Sequence, residues 1–134
     1  MTGLVLKLNP RERVLINGAV IENGDRRTRL SVMTPGANIL RLRDAIHPEE
    51  ARTPVRRLCY AVQLVLSGDA MAEEMRLQLL RRIEELSRIL TDHDSRQQLS
   101  VATDAILADR FYQALKSLRL LIPREDRLLA AARS

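Results

Sequence analysis

Two hydrophobic periods divide the chain. Over residues 4–43 apolar positions alternate with polar ones, and beyond Thr53 they recur every three or four residues. Alternation marks half-buried strands, and the longer spacing marks amphipathic helices. The first period predicts short strands over 4–8, 13–16, 19–22, 26–33 and 38–43. Asn17-Gly18 and Asn23-Gly24 read as type I′ turns between them, because Asn and Gly best tolerate positive φ at both central positions. Thr34-Pro35-Gly36 reads as a type II turn with Pro second and Gly third. Thr28, Leu30 and Val32 then face a core while Arg27 and Arg29 face out. Leu40 and Leu42 share one side of the last strand, and Arg41 and Arg43 share the other. A hairpin of these last two strands would set the four arginines side by side.

The second period predicts three helices. Thr53-Pro54 supplies an N-cap and a proline at the first helical position. Val55, Leu58, Cys59, Val62, Val65 and Leu66 follow, and Gly68 suits the stop. Asp69 reads as the cap of a second helix over 70–90, whose stripe is Met71, Met75, Leu79, Ile83, Leu86 and Leu90, widened by Leu77 and Leu80. Glu84 and Arg88 are an i,i+4 pair in the favourable order. Ser95 and Gln98 fit a capping box for a third helix, whose stripe runs from Leu99 to Ile122 and ends at Pro123. Residues 124–134 form a charged, alanine-rich tail, a last helical turn or a disordered end. The fold class is therefore α+β, a small antiparallel β module over 1–48 followed by a three-helix bundle or helical hairpin over 49–134. A three-helix set buries such wide stripes incompletely, which leaves area for the β module, a second copy or a partner protein.

Charge follows the same division. Residues 1–58 carry eleven Lys or Arg against six Asp or Glu, so the whole net charge of +5 lies there, and the remaining residues carry eleven of each. Such asymmetry points to an anionic partner. Like charges facing each other across strands destabilise a sheet. The arginine cluster thus calls for a polyanion, a carboxylate partner or plain solvent, and a solvated face is the commoner case. Arginine's planar fork suits phosphate, but Lys7 and Lys116 are the only lysines, so the preference for Arg belongs to the whole chain. With two Tyr, one Phe and no Trp, stacking of bases on aromatic platforms is not the mode of recognition.

Candidate chemistry is sparse. His47 and His93 are the only histidines. Asp92, His93 and Asp94 are adjacent in a short break, which favours a turn or capping role over a metal site. No glycine-rich phosphate loop, nucleophile elbow or zinc-protease motif is present, and the expectation is a non-enzyme without cofactor. Cys59, a single cysteine, reads as buried and structural. The opening residues show no signal-peptide pattern and no apolar run reaches membrane-helix length, so a cytoplasmic protein without membrane contact is expected.

The run VLINGAVIENGDRR, the following TPGANILR and the TP that opens the helical half resemble the FlbT family of flagellar-biosynthesis repressors from alphaproteobacteria. The resemblance covers nearly the whole chain. It implies post-transcriptional control of flagellin through the 5′ untranslated region of its mRNA, by repression or destabilisation, and a companion protein, FlaF. A second likeness, over residues 4–46, is to CsrA, a dimeric mRNA-binding regulator whose sheets interleave between subunits. Aligning Arg43-Asp44-Ala45-Ile46 with that family's R-E-E-I puts Arg43 at its RNA-contacting arginine. Leu6, with Lys7 beside it, then falls on the first-strand contact. CsrA lacks the helical half, and its first-strand basic pair is replaced here by Leu8 and Asn9. The RNA-binding candidates are Leu6, Lys7, Arg27, Arg29, Arg41 and Arg43, in a homodimer. The competing reading is an adaptor or chaperone-like factor that binds flagellin or FlaF through the helices.

Overall fold

The computed structural model describes residues 4–133. The expectations that fall on residues 1–3 and on Ser134, at the start of the β module and the end of the tail, lie outside them. Five strands come first: β1 Leu4–Leu8, β2 Arg13–Ile16, β3 Ala19–Glu22, β4 Thr28–Val32 and β5 Ile39–Arg41. Five helices follow: α1 Pro54–Ser67, α2 Ala72–Ser87, α3 His93–Leu107, α4 Phe111–Arg119 and α5 Ile122–Arg133. The α+β class holds, with antiparallel strands leading helices, but among the described residues the α-helices number five rather than three.

The strands form two small sheets, β1 with β4 and β3-β2-β5. Asn17 and Gly18 take φ of 47° and 86°, so the β2–β3 hairpin closes on the expected type I′ turn. The Asn17 Oδ1 also accepts from the Asn38 backbone N–H at 2.9 Å, which latches the turn to the entry of β5. Gly36 has φ of 71°, as the type II turn requires. The expected β4–β5 hairpin does not form. After Gly36 the chain carries β5 to β2 instead, with Val14 opposite Arg41 and Ile16 opposite Ile39, because Ile39 and Leu40 both bury completely against the core. The strand ends at Arg41, and Leu42–Asp44 is a 3-10 turn.

Caps decide most helix ends. The Thr53 side chain accepts from Arg56 N–H at 3.3 Å, and Gly68 closes α1 at φ 86°. Helix α2 starts later than expected, with Met71 as an N-cap that lends no side-chain bond, while Asp69 instead accepts from the Ser67 hydroxyl at 2.7 Å. At α3 the capping residue is Asp92, which accepts from Ser95 N–H at 3.1 Å. A carboxylate at that position serves both as acceptor and as dipole partner, and Ser95 is left buried inside the first turn. His93 is the first residue of that helix.

The long third stripe is broken twice. Asp109 takes a left-handed φ of 58°, a conformation Asp tolerates better than most side chains, and Arg76 of α2 pairs with its carboxylate. Pro123 does not end a helix but stands second in α5, where no N–H is needed. The tail is thus helical, and it is tied down: the Glu125 carboxylate, itself buried, accepts from Val55 N–H at the start of α1 at 2.7 Å. Beside it Arg56 forks onto Asp126 at 2.7 and 3.0 Å.

One buried cluster spans both halves and includes Leu6, Val14 and Ile39 from strands with Leu58, Leu79, Ile106 and Leu118 from helices. Gln63 of α1 donates to and accepts from the Ile46 backbone at 3.0 and 2.7 Å, and Arg119 of α4 donates to the Asp44 carbonyl at 2.7 Å. Cys59 is fully buried, and burial pushes its thiol up to about 12, as a structural cysteine should behave. Among the described residues no helix is long and apolar enough to cross a membrane.

Candidate functional site

The β1–β4 pair builds a basic surface from its register. Leu6 faces Leu30 and Leu8 faces Thr28 on one side, and Lys7 lies directly opposite Arg29 on the other. The inner side is core: Leu6 is 2% exposed. The outer side puts two cations across from each other, which an antiparallel pair disfavours.

Asn23 holds this arrangement at its end. Its amide nitrogen donates to the Asn9 and Arg26 carbonyls at 2.8 and 2.9 Å, and its amide oxygen accepts from the Thr28 hydroxyl at 2.8 Å. The residue expected to make a second type I′ turn instead staples the end of β1 to the start of β4. Gly24 has no positive φ.

Beneath the surface lies a buried ion pair. Glu12, whose side chain is 5% exposed, accepts from Arg41 Nε at 2.6 Å and Nη2 at 2.7 Å, and from Asn9 N–H at 2.9 Å. Arg41 Nη2 also donates to the Lys7 carbonyl at 2.5 Å. The hydrogen bond from Arg41 outweighs desolvation and holds the Glu12 carboxyl at about 2, while Glu12 pushes Arg41 upward. The pair therefore braces the Asn9–Glu12 turn, the β1 backbone at Lys7 and the end of β5 against one another.

Above this brace Lys7, Asn9, Arg27, Thr28, Arg29 and Arg43 surround an open groove of about 610 Å³, with Leu8 and Arg41 in its lining. Arg43 is half-exposed and sits 3.6 Å from Glu12 and 3.9 Å from Asp44. Among the described residues Lys7, Arg27 and Arg29 have no acidic partner.

The six candidates thus separate. Lys7, Arg27, Arg29 and Arg43 converge on one groove, although through β1 rather than through a β4–β5 hairpin. Arg41 does not share an exposed face with Arg43; it is buried under the groove, because Glu12, far away in sequence, supplies the counter-charge. The side chain of Leu6 belongs to the core. Sequence reasoning missed Glu12 and Asn23. Glu12 left a signal, being the only acid in the first 21 residues; the signal for Asn23 pointed to a turn. Neither histidine joins the groove: His47 Nδ1 accepts from Glu49 N–H at 3.2 Å as a cap. Among the described residues no cluster of His, Cys, Asp and Glu could hold a metal ion.

The family model described as flagellar protein FlbT matches residues 4–129. The chain belongs to the FlbT family. Curated FlbT relatives agree over nearly the full length. A probable flagellum biosynthesis repressor protein FlbT from Caulobacter sp. (strain K31) is 34% identical over 126 residues, covering 94% of this chain and 95% of that one. The flagellum biosynthesis repressor protein FlbT of Caulobacter vibrioides is 32% identical over 126 residues, covering 94% and 89%. A probable FlbT repressor of Brucella abortus is 29% identical over 130 residues, covering 97% and 84%. No solved structure matches the chain at a significant level. The strands that build the basic groove lie within the FlbT match.

Proposed function

We propose that this chain is a post-transcriptional regulator of flagellum biosynthesis, a binding protein rather than an enzyme, that holds the 5′ leader of flagellin mRNA in the groove lined by the β1–β4 pair, Arg41 and Arg43 and represses or destabilises that message. The observation that carries this reading is Lys7 set opposite Arg29, beside Arg27, with no acid among the described residues to neutralise them. A bound polyanion relieves that repulsion. Lys7, Arg27, Arg29 and Arg43 supply phosphate contacts, which position a strand without reading its sequence. Glu12 and Arg41 act beneath them by fixing the backbone that carries Lys7. The names of the relatives, repressors of flagellum biosynthesis, agree with this role.

A gel-shift titration at two salt concentrations tests it, with the flagellin leader and an unrelated RNA of equal length as probes. The leader should bind preferentially. Affinity should fall with added salt, because releasing counterions into a saltier solution gains less, with a logarithmic slope of at most about −3 for four contacts on a single strand. Equal weak binding to both RNAs removes the reading.

A further inference from the structure

The helical half leaves one face of the α2–α3 hairpin open. Leu80, Ile83, Leu99 and Thr103 lie in a groove of about 550 Å³ between the two helices. At one end Leu107 is 60% exposed, and Leu77, one turn before Leu80, is 59% exposed. Toward the other end Glu84 on α2 and Arg96 on α3 stand on opposite walls. The helices run antiparallel, since Arg76 near the start of α2 pairs with Asp109 just beyond the end of α3, so the leucines share one end and the charges the other. Arg96 has no acidic partner among the described residues. Glu84 pairs with Arg88 of its own helix at 3.2 Å, with both side chains mostly exposed, a contact weak enough to exchange.

We propose that this groove is covered by the same groove of a second copy, across a two-fold axis that runs along it. The inference does not depend on RNA binding. Rotation about such an axis lays α2 of one copy over α3 of the other and keeps each end at its own level. The Leu77 and Leu107 ends then meet, and Glu84 faces Arg96 of the second copy, twice. A face with a carboxylate on one wall and a guanidinium on the other is complementary to itself, which is what an isologous contact demands. The union is a four-helix layer with an apolar seam.

Sedimentation equilibrium of the full chain tests this. Wild type should be a dimer at micromolar concentration. Glu84→Arg and Arg96→Glu, both surface changes, should each weaken it by roughly tenfold or more, because like charges then face each other twice. The decisive arm is an equimolar mixture of the two variants. Each mixed pair regains both opposite-charge contacts, so the mixture should dimerise where neither variant does alone, and the double variant E84R/R96E should dimerise by itself. A wild type that stays monomeric overturns the proposal and leaves the groove to a different protein or to water. So does a dimer that both single variants leave intact, or a mixture that does not reassociate.

Discussion

In the β2–β3 hairpin Arg13 lies opposite Glu22 and donates to it at 2.9 Å; in the β1–β4 pair Lys7 lies opposite Arg29. Both are antiparallel pairs from the same basic stretch. In the hairpin Arg11 also reaches Glu22 and Asp25, at 3.6 and 2.6 Å, so every cation has an anion, and the hydrogen bond from Arg13 holds the Glu22 carboxyl below its ordinary value. Beneath the β1–β4 pair the Glu12 carboxylate is turned inward and bonded to Arg41. The difference teaches that a count of arginines does not locate a binding surface. What matters is which cations the fold gathers on one surface without a counter-charge, and on the β1–β4 groove, among the described residues, those are Lys7, Arg27 and Arg29.

The comparison can be broken most severely at its brace. Arg41→Met leaves the Glu12 carboxylate in its buried place with only the Asn9 N–H and the half-exposed Arg43 at 3.6 Å, and removing one member of a buried pair costs up to about 3–5 kcal/mol. Urea denaturation should show that loss, with groove binding lost along with it. A pH titration reads the same pair. Folding depresses the Glu12 carboxyl from its ordinary 4.5 to about 2, so the unfolded chain takes up the proton first. The stabilisation is fully present above pH 4.5 and disappears as pH falls through about 2, and its size is about 3 kcal/mol. Thermal melts of wild type and Glu12→Gln across that window check this: the acid loss should be larger in wild type, because Glu22, Asp92 and Asp126, also depressed, contribute to both.

Smaller effects sharpen the contrast between the two strand pairs. Lys7→Glu turns a like-charge pair into an opposite one, so stability should rise by about 0.2–1 kcal/mol while RNA affinity falls by about tenfold at low salt. Arg13→Glu makes the same change in net charge at the neutralised end. Its exposed ion pair is worth less than about 1 kcal/mol, so stability should drop slightly, and RNA affinity should stay within about twofold of wild type. Calorimetry and filter binding on the two variants side by side separate a local site from a general excess of charge.

Local features were legible in the sequence because their causes are local. Asn17-Gly18, Pro35-Gly36, Thr53-Pro54 and Gly68 each state a backbone requirement that no distant residue overrides, and the turns and the two ends of α1 fall where they indicate, whereas the partner of β5 and the start of α2 do not follow from them. The third helical stripe misled because its apolar spacing continues past Asp109 and Pro123, and only Arg76, from another helix, shows why the chain turns there. Arg41 misled for a similar reason. Alternation with leucines marks it as outward-facing, yet its partner Glu12 lies 29 residues earlier, and pairing at that distance is set by the fold. The groove itself was half-legible: its cations were named, but the route that joins them runs through β1 and Asn23.

The most direct measurement is fluorescence anisotropy of labelled flagellin leader RNA, titrated with wild type and with Lys7→Glu/Arg29→Glu protein at two salt concentrations. Wild type should prefer the leader over an unrelated RNA. The variant should keep its melting temperature, bind at least about tenfold more weakly, and show a salt slope shallower by about 1.4, the loss expected for two phosphate contacts on a single strand. Unchanged affinity and slope in the variant would contradict the β1–β4 groove as the RNA site, and wild-type binding that ignores the leader would contradict RNA reading altogether.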